Sequence, residues 1–329
     1  MPILRLDAAH HLATDTLIRC GTAPANAESV ARALVGAEAD GLRTHGLMRL
    51  LAYGEQVRVG KVVGDAIVSC ARPKPGLLAV DAAHGFAYPA LDTAIALLPE
   101  IAREQGIAAA AIRRSHHCGA AGRPVEALAE LGLVAILFAN APASMAPWGG
   151  TRPVFGTNPI AFACPLPGAE PIIVDLSLSK VARGNIIAAK QRGEPIPEGW
   201  ALDANGDPTT DPTAALAGTM VPLGDAKGTA LALMVELLAA GLTGARFAGE
   251  ASSFLDAEGE PPATGQLILA IDATAFAGDA LARFAVLARS IEEQDGARLP
   301  GTRRLAARAR AAEEGITISD ALLAEIERL

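Results

Sequence analysis

The pattern that most constrains this chain lies between Pro73 and Pro153. Short apolar runs (Leu77–Val80, Ile107–Ile112 and Leu133–Phe138) alternate there with the helical stretches Ala90–Gln105 and Pro124–Leu131. Apolar runs this short fit strands better than buried helices, and strand–helix alternation builds a sheet with helices packed against it. Asn158–Cys164 and Ile172–Leu176 continue the strand series, and Gln266–Ile271 adds one more after a long gap. The chain is 51% hydrophobic, so it has ample apolar area to offset the entropy of ordering such a core.

The flanks read as helix. Asn26 fits an N-cap, and Val30, Leu34 and Ala37 then repeat at helical spacing up to the Asp40-Gly41 break. A long helix is expected from Lys227 to about Leu242, another from Phe276 to Gln294, and a charged helical tail at RRLAARARAAEE. Gln191–Thr219 is rich in Gly, Pro, Asp and Thr and reads as an extended surface excursion. The expected organisation is a helical part over 1–70, a sheet-containing part over 71–225, and a helical part with one further strand over 226–329.

Charge and composition exclude several functions. Lys+Arg number 28 against 36 Asp+Glu, a formal charge of −8, and nucleic-acid binding needs clustered cations that this chain lacks. Cys20, Cys70, Cys118 and Cys164 stand far apart with no C-x-x-C pair, which argues against a disulfide scaffold or a structural zinc site. The N-terminal MPILRLDAAHHLATD interrupts any signal-peptide core with Asp7 and two histidines. No apolar run approaches the roughly 18 residues of a membrane span; that from Gly228 to Leu242 is broken by Glu236. A soluble, cytoplasmic protein with no membrane or nucleic-acid partner is expected.

The common nucleotide and hydrolase signatures are missing: there is no G-x-G-x-x-G, G-x-x-x-x-G-K-[ST], H-E-x-x-H or G-x-S-x-G. Gly54–Lys61 has one residue too many between its glycines. Asp203, Asn205, Asp207, Thr209 and Asp211 alternate like a calcium loop, but Pro208 and Ala214 occupy the positions that need Gly and Glu. A polar turn is the better reading.

Three constellations carry chemistry. In Asp40–Arg49, Thr44 lies beside His45 and Arg49 follows four residues on. An imidazole transfers protons near neutral pH and a guanidinium forks onto a carboxylate, so the set suits acid–base work on an anionic substrate. The same residues also fit an ordinary polar turn after a helix. Ser115–Gly122 (SHHCGAAG) follows a strand and leads into a helix, a geometry that leaves backbone N–H groups open to an anion. A plain strand-to-helix turn has the same composition, and the adjacent His116, His117 and Cys118 cannot readily share one metal. The third is the glycine- and proline-dense Ala146–Pro159 with Val174–Gly184, a loop pair of the kind that contacts ligands.

Together the motifs THGLMRL, SHHCGAAG, APWGGTRPVFGTNPIAFACP, IIVDLSLSKVARGNI, KGTALALMVELLAAGLTG and RLPGTRR resemble, in order and over nearly the whole chain, the malate/L-lactate/L-sulfolactate dehydrogenase-type oxidoreductases. That family is distinct from the Rossmann dehydrogenases, so the missing glycine fingerprint is expected. SHH, PEGWALDANGDPTTDP and RLPGTRR are most similar to the subgroup that reduces Δ1-piperideine-2-carboxylate and Δ1-pyrroline-2-carboxylate to L-pipecolate and L-proline. The resemblance implies a non-Rossmann α/β fold, sulfolactate dehydrogenase-like, with a central mixed sheet and a helical domain from both chain ends. It implies NADPH as cofactor, with NADH as the alternative, a small imino or keto acid substrate, a homodimer and no metal.

Residue by residue, the resemblance makes His45 the proton donor to the imine nitrogen or carbonyl oxygen. Arg49 would hold the substrate carboxylate, and Thr157 would touch the substrate. His117, Cys118, Gly119, Ala120 and Ala121, with Asp175, Leu176 and Ser177, would line the cofactor. Lys227 and the stretch Arg298, Leu299, Pro300, Gly301, Thr302, Arg303 and Arg304 would complete its site and supply cations for a 2′-phosphate. Two positions depart from the pattern. Thr44 stands where the family has Ser, and Asn185 where the reductases carry a relay carboxylate. An uncharged Asn gives the imidazolium no electrostatic support, so a depressed His45 pKa is expected. A 2-hydroxy-acid dehydrogenase with the same His/Arg pair is the alternative activity.

Overall fold

The structure, a computed structural model, describes residues 2–329. A short strand β1 (Ile3–Leu4) precedes helices α1 (Leu6–Arg19) and α2 (Pro24–Ala39), which pack on each other. Helix α2 begins at Pro24 and not after Asn26, because the fixed φ of proline suits the first helical position and its missing N–H costs nothing there. The Asn26 amide instead donates to the Gly64 and Ala66 carbonyls, both at 3.0 Å, and ties the helix to the loop beyond it. A 3₁₀ turn at Arg43–His45 leads into α3 (Arg49–Arg58).

The alternating region then comprises β2 (Ser69–Lys74), β3 (Leu77–Asp81), α4 (Ala87–Gln105), β4 (Ile107–Ser115), α5 (Gly122–Glu130), β5 (Leu133–Ala139), β6 (Ile160–Leu166) and β7 (Ala169–Leu176). One of these strands, β2, is not marked by the apolar runs. Strand β6 is shifted two residues toward the C-terminus from its run, and α5 starts two residues earlier and ends one residue sooner. The other elements are one to three residues longer than their runs. Beyond it, α6 (Arg183–Arg192) precedes β8 (Ala201–Leu202), β9 (Pro208–Thr209), α7 (Pro212–Ala217) and β10 (Thr219–Met220). Helix α8 (Ala226–Glu236) ends in a π-helical turn, Leu237–Gly241. Strand β11 (Thr264–Asp272), α9 (Ala280–Glu292), α10 (Thr302–Glu314), β12 (Ile316–Thr317) and α11 (Asp320–Arg328) complete the chain.

The main sheet has seven strands in the order β2-β3-β4-β11-β5-β6-β7, with β3 and β4 parallel and the other neighbours antiparallel. The strand of the C-terminal part is therefore the middle of the sheet, not an addition to it. Both faces are covered, which explains runs that are apolar without strict alternation. Ala108, Ala110, Ile112, Leu137, Ile268 and Ala270 enter the larger core shared with α2, α4 and α5. Phe138 and Leu267 point to the other face, against Ala232, Val235 and Ala239 of α8 and its π turn. The π turn lies so close to β11 that a Cβ on Gly265 would stand 2.0 Å from the Ala239 carbonyl oxygen, so only glycine fits.

The two chain ends meet: β1 pairs with β12, α10 packs on α2 and α11 on α3. The segment expected to be a surface excursion is a small folded unit. Strands β10-β8-β9 form a three-stranded sheet, and Ile196, Ala201, Ala215 and Met220 bury a core with Leu178, Val181 and Ile186. Its apolar residues are too sparse to show periodicity, yet together they close a core. The calcium-like string is a turn within it, where Asp203 Oδ1 accepts from the Asn205 and Asp207 N–H groups at 2.8 and 3.0 Å.

Candidate active site

Strand directions put the ends of β4, β5 and β7 and the starts of β6 and β11 at one end of the sheet, and a cleft of about 1530 Å³ opens there. Its walls come from the Leu42–Glu55 region, 117–121, 140–144, 157–159, 173–177, the first half of α6, 248–255 and 300–304. The first of these segments turns sharply after α2. Glu38 Oε2 accepts the Leu47 N–H at 3.0 Å and lies where a Cβ on Gly46 would be, so any larger residue there would push the carboxylate off this bond.

That turn brings His45 and Arg49 together. Thr44 Oγ1 lies 3.1 Å from His45 Nδ1, and Arg49 Nε donates to the Thr44 carbonyl at 2.7 Å. The extra methyl of Thr44 has a use, because it fills the space over Gly184, whose Cβ position is 2.8 Å from Thr44 Cγ2. The His45 ring stacks on His117, with centroids 5.4 Å apart. His117 Nδ1 bonds the Tyr53 hydroxyl at 2.7 Å, and Tyr53 in turn contacts the Tyr88 hydroxyl at 3.1 Å. Burial, with the nearby Arg49 charge, pulls the His45 pKa down to about 4. Burial likewise holds His117 well below the usual range, helped by Arg49 and the neighbouring histidines. His45 is thus a neutral imidazole at pH 7, able to accept a proton beside a guanidinium able to hold a carboxylate.

On the opposite wall, residues 117–121 cross from β4 to α5. The Gly119, Ala120 and Ala121 N–H groups have no protein acceptor among the described residues, which suits an anion at the helix start. The next N–H, of Gly122, is taken by Asp175 Oδ2 at 2.7 Å. Asp175 sits beside Arg304, which also reaches Glu126 at 3.4 Å and Asp40 at 3.9 Å.

The structure therefore gathers Thr44, His45, Arg49, Thr157, His117–Ala121, Asp175–Ser177, Pro300, Gly301 and Arg304 around one cleft. It does not bring the other expected residues there. Lys227 is exposed on the first turn of α8, and Arg298, Leu299, Thr302 and Arg303 lie outside the lining. Asn185 is exposed on the far side of α6, against Trp200 and Pro197. Helix phase is the reason: Gly184, Ile187, Ala188 and Gln191 face the cleft, so Asn185 points away.

Three features of the cleft carry no motif of their own. Arg183 lines it with a buried Nε that bonds nothing, and no carboxylate pairs with it among the described residues. The wall at 248–255 is pinned from behind by Lys61, fully buried, whose ammonium bonds the Asp256 carbonyl and carboxylate and the Glu258 carbonyl at 3.0, 3.1 and 2.5 Å. Glu236, the acid that interrupts the apolar run, is buried beneath the cleft. The polar composition of AGEASSFL between a helix and a strand was the available signal for the 248–255 wall. Arg183 lies within IIVDLSLSKVARGNI, and nothing in the spacing marks Lys61.

Comparison with known proteins gives one answer for the whole chain. Residues 4–327 match the family described as malate/L-lactate dehydrogenase. The (2R)-3-sulfolactate dehydrogenase (NADP(+)) of Chromohalobacter salexigens is 53% identical, with 98% of this chain and 97% of the relative covered. The Δ1-pyrroline-2-carboxylate/Δ1-piperideine-2-carboxylate reductase of Pseudomonas aeruginosa is 43% identical over 98% of each chain. The crystal structure of Δ1-piperideine-2-carboxylate reductase from Pseudomonas syringae pv. tomato superposes with a TM-score of 0.95 at 39% identity, covering 100% of this chain and 99% of that one. With sequence and fold in agreement over nearly the whole chain, it belongs to the malate/L-lactate dehydrogenase family of oxidoreductases.

Proposed function

We propose that this protein is an NADP(H)-dependent 2-hydroxy-acid dehydrogenase whose substrate carries a second anionic group, a sulfonate or carboxylate, beside the carboxylate at C1. The observation that carries this reading is the pair of guanidinium groups in one cleft. Arg49 and Arg183 both line it, and neither has a carboxylate partner among the described residues. A cyclic ketimine with one carboxylate leaves the second guanidinium unmatched. The 53% identity to a (2R)-3-sulfolactate dehydrogenase (NADP(+)) supports the same choice and the same cofactor.

The cleft fits a dinucleotide. Its volume of about 1530 Å³ exceeds the usual range of roughly 300–1,000 Å³ for a single small ligand, and the open N–H groups at Gly119–Ala121 suit a diphosphate. NADP⁺ supplies the acceptor for the hydride leaving C2. The remaining work falls to the chain. Arg49 holds the C1 carboxylate and so fixes which face of C2 is presented, Arg183 holds the second anion, and Thr157 closes the pocket beside them. Neutral His45 takes the hydroxyl proton as the carbonyl forms, and Thr44 and the stacked His117 hold its ring. In the reverse direction His45 must first be protonated, which a bound dianion favours by neutralising the Arg49 charge. The overall exchange is one hydroxyl proton to His45 and one hydride to the cofactor.

A second reading, reduction of cyclic ketimines at the same His45/Arg49 pair, is favoured by the reductase from P. aeruginosa and by the 0.95 TM-score match. A homodimer fits the exposed Leu231, Leu233, Met234 and Leu237 on and after α8, and a cytoplasmic location fits the reading; no described helix is long and apolar enough to cross a membrane. The decisive assay follows NADPH absorbance with 3-sulfolactate and malate, L-lactate as the monoanionic control, and Δ1-pyrroline-2-carboxylate and Δ1-piperideine-2-carboxylate in the reducing direction. The dianionic hydroxy acids should exceed lactate at least tenfold in kcat/KM. Turnover of the cyclic imines alone transfers the protein to the second reading.

A further inference from the structure

The cleft has a buried acid beneath it that takes no part in the proton transfer described above. Glu236 closes α8 and is 5% exposed. Its Oε1 accepts from Asn140 Nδ2 at 3.1 Å and from the Ala248 N–H at 2.6 Å, and its Oε2 accepts from Asn158 Nδ2 at 2.7 Å. No Lys, Arg or His pairs with it among the described residues. A carboxylate held only by neutral N–H donors, away from water, persists where those donors are fixed for it.

Each donor belongs to a different wall of the cleft. Asn140 opens the 140–144 segment, and its Oδ1 also takes the Gly265 N–H at 2.9 Å. Asn158 lies between Thr157 and Pro159, both in the lining, and adopts φ +40°, a left-handed conformation uncommon outside glycine. Ala248 begins the 248–255 wall. Three separate wall segments thus converge on one carboxylate.

We infer that Glu236 is a positioning residue for the acid-substrate half of the cleft, holding Thr157 and the 140–144 and 248–255 walls in register through Asn140, Asn158 and Ala248. The inference rests on the cleft being the substrate site and not on which acid is the substrate. The nucleotide half, at 117–121 and 175–177, has no bond to Glu236, so it should not respond.

The test pairs two variants. Glu236→Gln keeps the shape but turns one acceptor into a donor, so that a donor faces a donor. Asn158→Gly tolerates the left-handed backbone and removes the side chain whose amide bonds Glu236 and the Ala232 carbonyl. Hydrogen exchange should speed at least tenfold together in 140–144, 157–159 and 248–255 in Glu236→Gln, and in 157–159 in Asn158→Gly, with β4, β5 and 117–121 unchanged. KM for whichever acid is turned over should rise at least tenfold in Glu236→Gln with kcat within threefold and NADPH affinity within twofold. If Glu236→Gln does not fold, Asn158→Gly decides alone. Unchanged exchange at the three walls, or exchange raised uniformly through the sheet with KM and NADPH affinity lost together, overturns the inference. Because exchange is read without turnover, a failed substrate assignment leaves this result interpretable.

Discussion

The cleft has two cationic rims, and they behave differently. At one, Arg304 and Arg308 of α10, with Arg123 of α5, surround Asp40 and Glu126. Arg308 bonds both carboxylates at 2.7–3.1 Å, Arg123 bonds Asp40 at 2.9 Å, and Asp40 is fully buried. At the other, Arg183 of α6 has no carboxylate partner among the described residues. In the sequence, the RLPGTRR stretch looked like the richer supply of cations for a phosphate, and ARGN carried no assigned role. In the structure Arg304 of that stretch lies in the cleft lining 3.4 Å from Glu126, while Arg308 beyond it is bonded to both buried carboxylates. A guanidinium whose donors are already taken by buried carboxylates holds two chain ends together, whereas one left unpaired in a cleft is available to a ligand.

Removing one arginine from each rim separates the two uses. Arg308→Ala leaves two buried carboxylates undercompensated, so unfolding free energy should fall by about 3–5 kcal/mol while KM stays within twofold; denaturant unfolding beside steady-state kinetics reads both. Arg183→Ala should do the reverse. Losing a charge-assisted contact costs roughly 1.5–3 kcal/mol, or about 10- to 150-fold in kcat/KM for dianionic acids, with lactate turnover and Tm nearly unchanged. Equal loss for mono- and dianionic acids would place Arg183 elsewhere than on the second anion.

Two adjacent histidines extend the contrast between paired and unpaired groups. His117 bonds Tyr53, while His116 sits among Tyr53, Phe86 and Phe254 with both ring nitrogens unpartnered. Burial, aided by Arg49 and Lys61, pulls the His116 pKa down to about 3. Its folded pKa lies below the unfolded value, so its contribution to stability is complete above about pH 6.5 and is lost progressively as pH falls toward 3. His116→Phe, matched to the aromatic cage, should therefore reduce the stability lost between pH 7.5 and 5.5 by about 1.4 kcal/mol; an unchanged acid response would show that His116 does not titrate on unfolding as argued.

The smallest effect is expected at Asn185. The new carboxylate of Asn185→Asp favours protonated His45, so the pH–rate midpoint should move up, but from the exposed side of α6 screening limits the shift to about half a unit or less. A shift of a full unit or more would restore Asn185 to the relay that the family resemblance suggested.

Much was legible along the chain. The apolar runs located five of the seven main-sheet strands near their observed bounds and put the central strand β11 at Gln266–Ile271, because a strand covered on both faces writes its burial into consecutive residues. His45, Arg49 and the SHHCGAAG turn were legible because each combines chemistry and local geometry within a few residues. The edge strand β2, exposed throughout, was not seen, since nothing buries it to impose a pattern. The small unit over 191–220 was missed because its core closes only in three dimensions.

By itself the sequence determined the fold class and the family and drew attention to His45 and Arg49, all carried by short-range patterns. The tertiary structure alone decided which charges are free. Whether Arg183, Arg304, Lys61 or Glu236 faces a ligand, a counter-ion or three amide donors depends on contacts between residues as much as 197 apart, and the strength of a charge is set by its partners and its water, neither of which spacing records.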